Sequence, residues 1–233
     1  MTIDPTDVAF DRPVPLFPLP NVVLFPGTTQ SLQVFEPRYR EMVADTLGQA
    51  RLIAMALLEG DSIEQYHTNH AAIHPIVCVG HIREHVQLPD GRYFLNLEGI
   101  CRARVLSEDR DGPYRLALLE QLPEPGGTVD PDGAIALRRA LEEVLQAPTF
   151  DLLDGMDALR SLLRPDVPIG RAVDVLAFKL VPADEVETKQ RILEELDVVR
   201  RGRILLEEIR SVRRILDVRE NRRKHWPWEE GSN

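Results

Sequence analysis

Cysteine, aromatic residues and lysine are all scarce in this chain, and each scarcity removes a class of explanation. Only two of the 233 residues are cysteine, Cys78 and Cys101. Both lie in apolar, strand-like runs, so they read as reduced core thiols of a cytoplasmic protein rather than as a disulfide framework. A chain this long buries roughly 70–75% of its unfolded surface and needs no such staple. Aromatics make up 6% of the residues, and no basic stripe interleaved with aromatics is found, as a surface for single-stranded nucleic acid would require. No run approaches the roughly 18 uncharged apolar residues of a membrane helix. The opening MTIDPTDVAFDRPVPLF is acidic and proline-rich, which argues against a secretory signal.

Lysine occurs three times, at Lys179, Lys189 and Lys224, and none follows a glycine. A phosphate-binding loop of the form G-x-x-x-x-G-K-[ST] is therefore absent from these residues. A Ser–Lys dyad needs a lysine beside an accessible serine. None of the six serines (Ser31, Ser62, Ser107, Ser161, Ser211, Ser232) lies in a glycine-flanked elbow. No catalytic residue and no cofactor-binding residue is assigned.

Charge is uneven. Residues 1–125 hold 10 arginines, no lysine and 17 acids, giving −7, within a whole-chain net charge of −10. That balance opposes broad nucleic-acid binding, which depends on neutralising phosphates. Residues 200–224 carry 10 basic and 4 acidic residues, so an RNA-binding role for that segment is the alternative reading.

The first half reads as strands. Apolar clusters within 14–25 are broken by Pro15, Pro18 and Pro20, which confine them to edges, strand starts or kinked crossings. Gln30–Phe35 alternates. Glu36-Pro37 opens a helix through Tyr39, Met42, Val43 and Leu47, stopped by Gly48. RLIAMALL at 51–58 is a buried strand, and 60–75 is a loop. Ile76–Val86 and Arg92–Glu98 form a hairpin around Leu88-Pro89-Asp90-Gly91, with Tyr93, Leu95 and Leu97 on one face and Phe94, Asn96 and Glu98 on the other. Gly99 marks a bulge before a further strand, Ile100–Leu106. Tyr114–Leu122 completes about seven short strands, the pattern of a small antiparallel barrel.

Pro123-Glu124-Pro125-Gly126-Gly127 then reads as a linker, and the remainder has helical period. Helices are expected over 134–146, from a Thr149 cap through Leu163, and from Asp166-Pro168 to Leu180. A final pair over 182–225 is kinked near Leu196, with Asp197 capping its second member. The fold class is thus α+β. An N-terminal extension (1–12) precedes a mostly antiparallel β-barrel with one short helix (13–122). A linker (123–131), a helical bundle (132–225) and a tail (226–233) follow.

Histidine supplies one polar constellation. His67, His70 and His74 share a loop, and a histidine trio suits zinc. No HExxH or paired CxxC accompanies them, and His81 and His85 on the next strand lie about 13 Å apart. The preferred reading is a solvated loop with no metal, and a metal-dependent hydrolase is the least supported function. A second constellation is Glu36, Arg38, Tyr39 and Arg40. Here Glu36 fixes the strand–helix corner, or Arg38 and Tyr39 face a peptide groove. Arg102 and Arg104 share a strand face and read as solvent-facing, within reach of Glu98 or Glu84.

Four segments together resemble the Lon N-terminal (substrate-binding) domain family in stand-alone form. They are PVPLFPLPNVVLFPG at 13–27, LQVFEPRYREMV at 32–43, VGHIREHVQLPDGRYFLNLEGICRARVL at 79–106 and KQRILEELDVVRRGRILLEEI at 189–209. They span residues 13 to about 215. The resemblance implies a PUA-like barrel followed by a helical bundle, without the ATPase and protease domains of Lon. It further implies a non-catalytic module that recognises exposed apolar or extended segments of other polypeptides, without cofactor. Phe17, Arg38, Tyr39, Trp226 and Trp228 are the candidate contact residues, the two tryptophans because that residue is enriched at interface hot spots.

Overall fold

The computed structural model describes residues 10–123 and 130–224, by backbone alone beyond 218. Six strands come first: β1 (Val14–Leu19), β2 (Thr29–Val34), β3 (Leu52–Leu57), β4 (Ile76–Gln87), β5 (Tyr93–Asp109) and β6 (Arg115–Gln121), with helix α1 (Pro37–Leu47) between β2 and β3. The helices α2 (Pro131–Leu145), α3 (Met156–Ser161), α4 (Ile169–Leu180), α5 (Val186–Glu194) and α6 (Val198–Lys224) follow. The chain is α+β in the order expected. Most of the linker lies outside the described residues.

The strand order is β2-β5-β4-β3-β1-β6, and β6 pairs again with β5. Among the described strands, five thus form a closed cycle of pairings, and β2 stands outside it, joined to β5 alone. Of the described pairs, β1 and β3 run parallel and the others antiparallel. The prolines of β1 fit because its two ladders overlap at a single residue. Val14–Leu16 pairs with β6 and Leu16–Leu19 with β3. Pro15 and Pro18 therefore each lie where β1 has one neighbour, as a residue without an N–H requires.

The described strands number six rather than seven because Gly99 bends β5 without ending it. Gly80 pairs with Gly99 and Val79 with Cys101, which leaves Ile100 as the surplus residue of a bulge. At that bend β5 crosses the 25–28 turn: Gly27 N–H donates to the Gly99 carbonyl and Gly99 N–H to the Thr28 carbonyl, both at 2.8 Å. A Cβ on Gly99 would lie 2.1 Å from the Phe25 carbonyl oxygen, so only glycine fits.

In the second half, α6 packs on α2, α4 and α5. Asp197 caps α6, its Oδ1 accepting from Arg200 N–H at 2.8 Å. The helix expected from Thr149 is broken. Pro148–Leu152 forms a 3₁₀ turn, Gly155 adopts φ +78°, and only Met156–Ser161 is α-helical. Leu152 and Leu153 are consequently exposed.

The two halves share one core. Phe17, Phe25, Met42 and Leu97 of the strand half belong to the same apolar cluster as Leu141, Phe150, Leu176 and Leu205 of the helical half. A smaller cluster, including Leu16, Ala54, Val79 and Ala117, lies on the other side of the sheet. Between the halves sits a buried polar knot. Arg102 on β5 donates from Nη1 and Nη2 to Asp174 on α4, at 2.8 and 2.7 Å, and from Nε to the Leu193 carbonyl at 2.8 Å. Arg201 Nε approaches the same carboxylate at 3.4 Å. Arg102 therefore does not face solvent as the strand reading held. It is 1% exposed, because the helical half supplies a carboxylate 72 residues away. Among the described residues no helix is long and apolar enough to cross a membrane.

Candidate functional site

The outer face of β2–β5–β4 combines exposed apolar side chains with an ordered polar row. Strand alternation buries Tyr93, Leu95 and Leu97 and turns Phe94 outward. Register then sets two rows across the three strands. Gln33, Phe94 and Val86 form one; Ser31, Asn96 and Glu84 form the next. Ser31 Oγ donates to Asn96 Oδ1 at 2.8 Å, and Asn96 Nδ2 donates to Glu84 Oε2 at 3.0 Å.

Val86 and Glu84 reach this face through a second bulge. Ile82 pairs with Leu97 and Glu84 with Asn96, so Arg83 is surplus. In a regular strand Glu84 and Val86 would share the inward face of Ile82, which is fully buried. The extra residue reverses the alternation and brings both out. Val86 is 60% exposed, Phe94 46%, and Phe35, one residue beyond β2, 61%. A shallow cleft of about 430 Å³ runs between Ser31, Gln33, Glu84, Val86, Phe94 and Asn96. The side chains suit non-covalent capture of a partly apolar, extended ligand. Sequence reasoning put Phe94 on the strand face of Asn96 and Glu98, opposite Tyr93, Leu95 and Leu97, but missed this surface, since the emergence of Glu84 and Val86 on it depends on Arg83 being surplus.

The other constellations are structural in their contacts. Phe17 and Tyr39 are buried, with ring centroids 4.5 Å apart. Burial pushes the Tyr39 phenol up to about 12. Arg38 lies over the Tyr39 ring at 4.4 Å, donates from Nε to Glu36 at 3.1 Å and from Nη2 to the Tyr66 carbonyl at 2.8 Å. The Tyr66 hydroxyl also donates to Glu36, and burial together with that carboxylate pushes its pKa upward. This cluster ties the start of α1 to the 60–68 segment. Trp226 and Trp228 lie outside the described residues.

The histidines do not converge. His74 turns to α5, with Nδ1 3.0 Å from Glu194 and Nε2 3.5 Å from Glu187, and His85 is exposed on the hairpin. Among the described residues no group of three or more histidine, cysteine or acidic side chains is placed to hold a metal. In the basic segment, Arg210, Arg213 and Arg214 line a cleft of about 590 Å³ between α2 and α6. Glu143, Glu207 and Asp217 line it too, so the positive charge there is not a continuous stripe.

Comparison with known proteins agrees with this architecture. The model of the ATP-dependent protease La (LON) substrate-binding domain matches residues 13–211. Lon protease 2 of Sorangium cellulosum is 29% identical over 210 residues, covering 88% of this chain and 25% of the protease. Lon protease 1 of Thermus thermophilus is 28% identical, covering 86% and 25% respectively. The chain thus spans about a quarter of the length of these relatives. Among solved structures, the Lon N-terminal domain protein from Xanthomonas campestris superposes with a TM-score of 0.59 at 25% identity, covering 84% of this chain and 98% of its own. The N-terminal domain of the Mycobacterium avium complex Lon protease gives a TM-score of 0.61 at 15% identity, covering 86% and 99%, and supports the fold. With nearly all of its strands and helices inside the matched region, the chain belongs to the Lon substrate-binding domain family.

Proposed function

We propose that the chain is a non-catalytic recognition module for exposed apolar or extended segments of other polypeptides, with the outer face of β2–β5–β4 as its contact surface. The observation that supports this most is the row of Phe94 and Val86, 46% and 60% exposed beside the cleft, in a chain of the substrate-binding family. Among the described strands β2 pairs with β5 alone, which adds an edge to which an extended segment can align its backbone. Contacts are few and ordering a flexible segment is costly, so affinity for any one segment is on the order of micromolar or weaker. The setting proposed is the cytoplasm, where Cys78 and Cys101 stay reduced. Trp226 and Trp228 remain a proposed accessory contact.

The test is fluorescence anisotropy with a labelled, reduced and carboxymethylated protein as unfolded ligand. Binding by the wild type, weakened about five-fold or more in the Phe94→Ala/Val86→Ser double variant, is expected. Failure of the folded wild type to bind at millimolar concentrations would remove this reading.

A further inference from the structure

We infer that the β2–β5–β4 face selects extended segments carrying an aromatic or long aliphatic side chain two residues from a lysine or arginine, with Glu84 as the specificity-determining carboxylate. The inference rests on the reading of this face as polypeptide-binding and adds the chemistry of the ligand.

Spacing is the first argument. The Phe94–Val86 row and the Asn96–Glu84 row are two residues apart along each strand, a separation of about 6.6–6.8 Å. An extended ligand lying along β4 and β5 repeats its own side chains at that distance. A residue seated on Phe94 and Val86 therefore places its i±2 neighbour over the polar row.

Charge is the second. The other acids on this stretch of β4–β5 are matched by arginine: Glu98 lies 2.7 Å from Arg83 and Asp90 2.7 Å from Arg92. Glu84 is instead oriented by a neutral amide, Asn96, which is itself held by the Ser31 hydroxyl. The donor chain fixes the direction of the carboxylate while leaving its negative charge in place. Since Glu84 is solvent-exposed and lines the cleft, a ligand cation gains an ion pair there, whereas a ligand acid meets like charge.

The test uses three synthetic peptides with the same threonine-rich extended frame, alternating Phe with Lys, Phe with Ser, or Phe with Glu. An exposed ion pair contributes about a two- to five-fold preference, so wild type should bind in the order Lys, Ser, Glu. That preference should shrink at high salt as screening grows. Glu84→Gln should abolish the ranking, bringing the Lys and Glu peptides toward the affinity of the Phe/Ser peptide. Glu120→Gln, an exposed acid on β6, should preserve it. Loss of the ranking in both variants would assign it to overall charge and overturn the inference. An intact ranking in Glu84→Gln, with Phe94→Ala weakening all three peptides, would overturn it while sparing the face. No effect of either Phe94→Ala or Glu84→Gln would overturn both.

Discussion

Arg102 and Asp174 meet in a two-pronged ion pair at 2.8 and 2.7 Å, each residue 1% exposed, joining the longest strand to the centre of α4. Arg201 also approaches that carboxylate, so one acid serves two buried guanidinium groups. Removing the acid leaves both cations without it, whereas removing Arg102 leaves a balanced pair. Breaking a buried pair costs about 3–5 kcal/mol. Asp174→Ala should fall in that range or prevent folding, and Arg102→Met should cost measurably less. Urea denaturation of both variants checks the order; equal losses would refute it.

Gly99→Ala should be severely destabilising, because its methyl group would overlap the Phe25 carbonyl at 2.1 Å and backbone cannot swing aside as a side-chain tip does. A loss of about 3 kcal/mol or more is expected, among the exceptional values for one methyl. Gly60→Ala, where nothing lies within 4 Å, should stay within about 0.5 kcal/mol of wild type. Thermal melts of the two side by side make the comparison.

Tyr39 gives a pH dependence. Its phenol is pushed up to about 12 by burial, against an ordinary value near 10 in the unfolded chain. Between those values the unfolded state has lost the proton that the folded state keeps. Stability is therefore full below pH 10 and falls as pH rises toward 12. No hydrogen-bond partner of the Tyr39 hydroxyl is found among the described residues. Tyr39→Phe should accordingly flatten the alkaline decline and raise stability at pH 7 by about 1 kcal/mol. A steeper alkaline decline in the variant would contradict this.

These variants also mark where the sequence was readable. The hairpin at Asp90-Gly91 and the bend at Gly99 were legible because each is a local backbone demand that glycine meets; Gly91 has φ +82°. The Asp197 cap was legible because a side-chain acceptor at a helix start is a local demand too. Arg102 was not, since an arginine on an alternating strand looks solvent-facing until a distant helix brings a carboxylate to it. The helix expected from Thr149 failed at Gly155, where apolar spacing continued but the backbone turned left-handed. Phe17 and Tyr39 stood out as aromatics of two recognisable segments, yet both rings are packed into the core. The outward course of Phe94 could be read from period two, but its partners on β4 could not, because a bulge is invisible to a period count.

Deletion of Arg83 tests whether the bulge does more than set the parity of the face. Removing the surplus residue leaves Glu84 directly after Ile82 in the same register, so regular alternation keeps Ile82 inward and Glu84 and Val86 outward. Binding of the Phe-containing peptides should therefore be retained, with the far-ultraviolet circular dichroism of a folded chain. A folded deletion variant that no longer binds would show that the local bend of the bulge, and not only the direction of these two side chains, is required.

The surplus residue at position 83 has a bearing on how this surface can vary. Side-chain identity at 84 and 86 tunes chemistry, but parity decides whether that chemistry meets solvent at all. Where no bulge absorbs it, an insertion or loss of one residue within β4 is thus a switch between two phases of the same strand. Two residues added or removed together would lengthen or shorten the hairpin and keep its outward face.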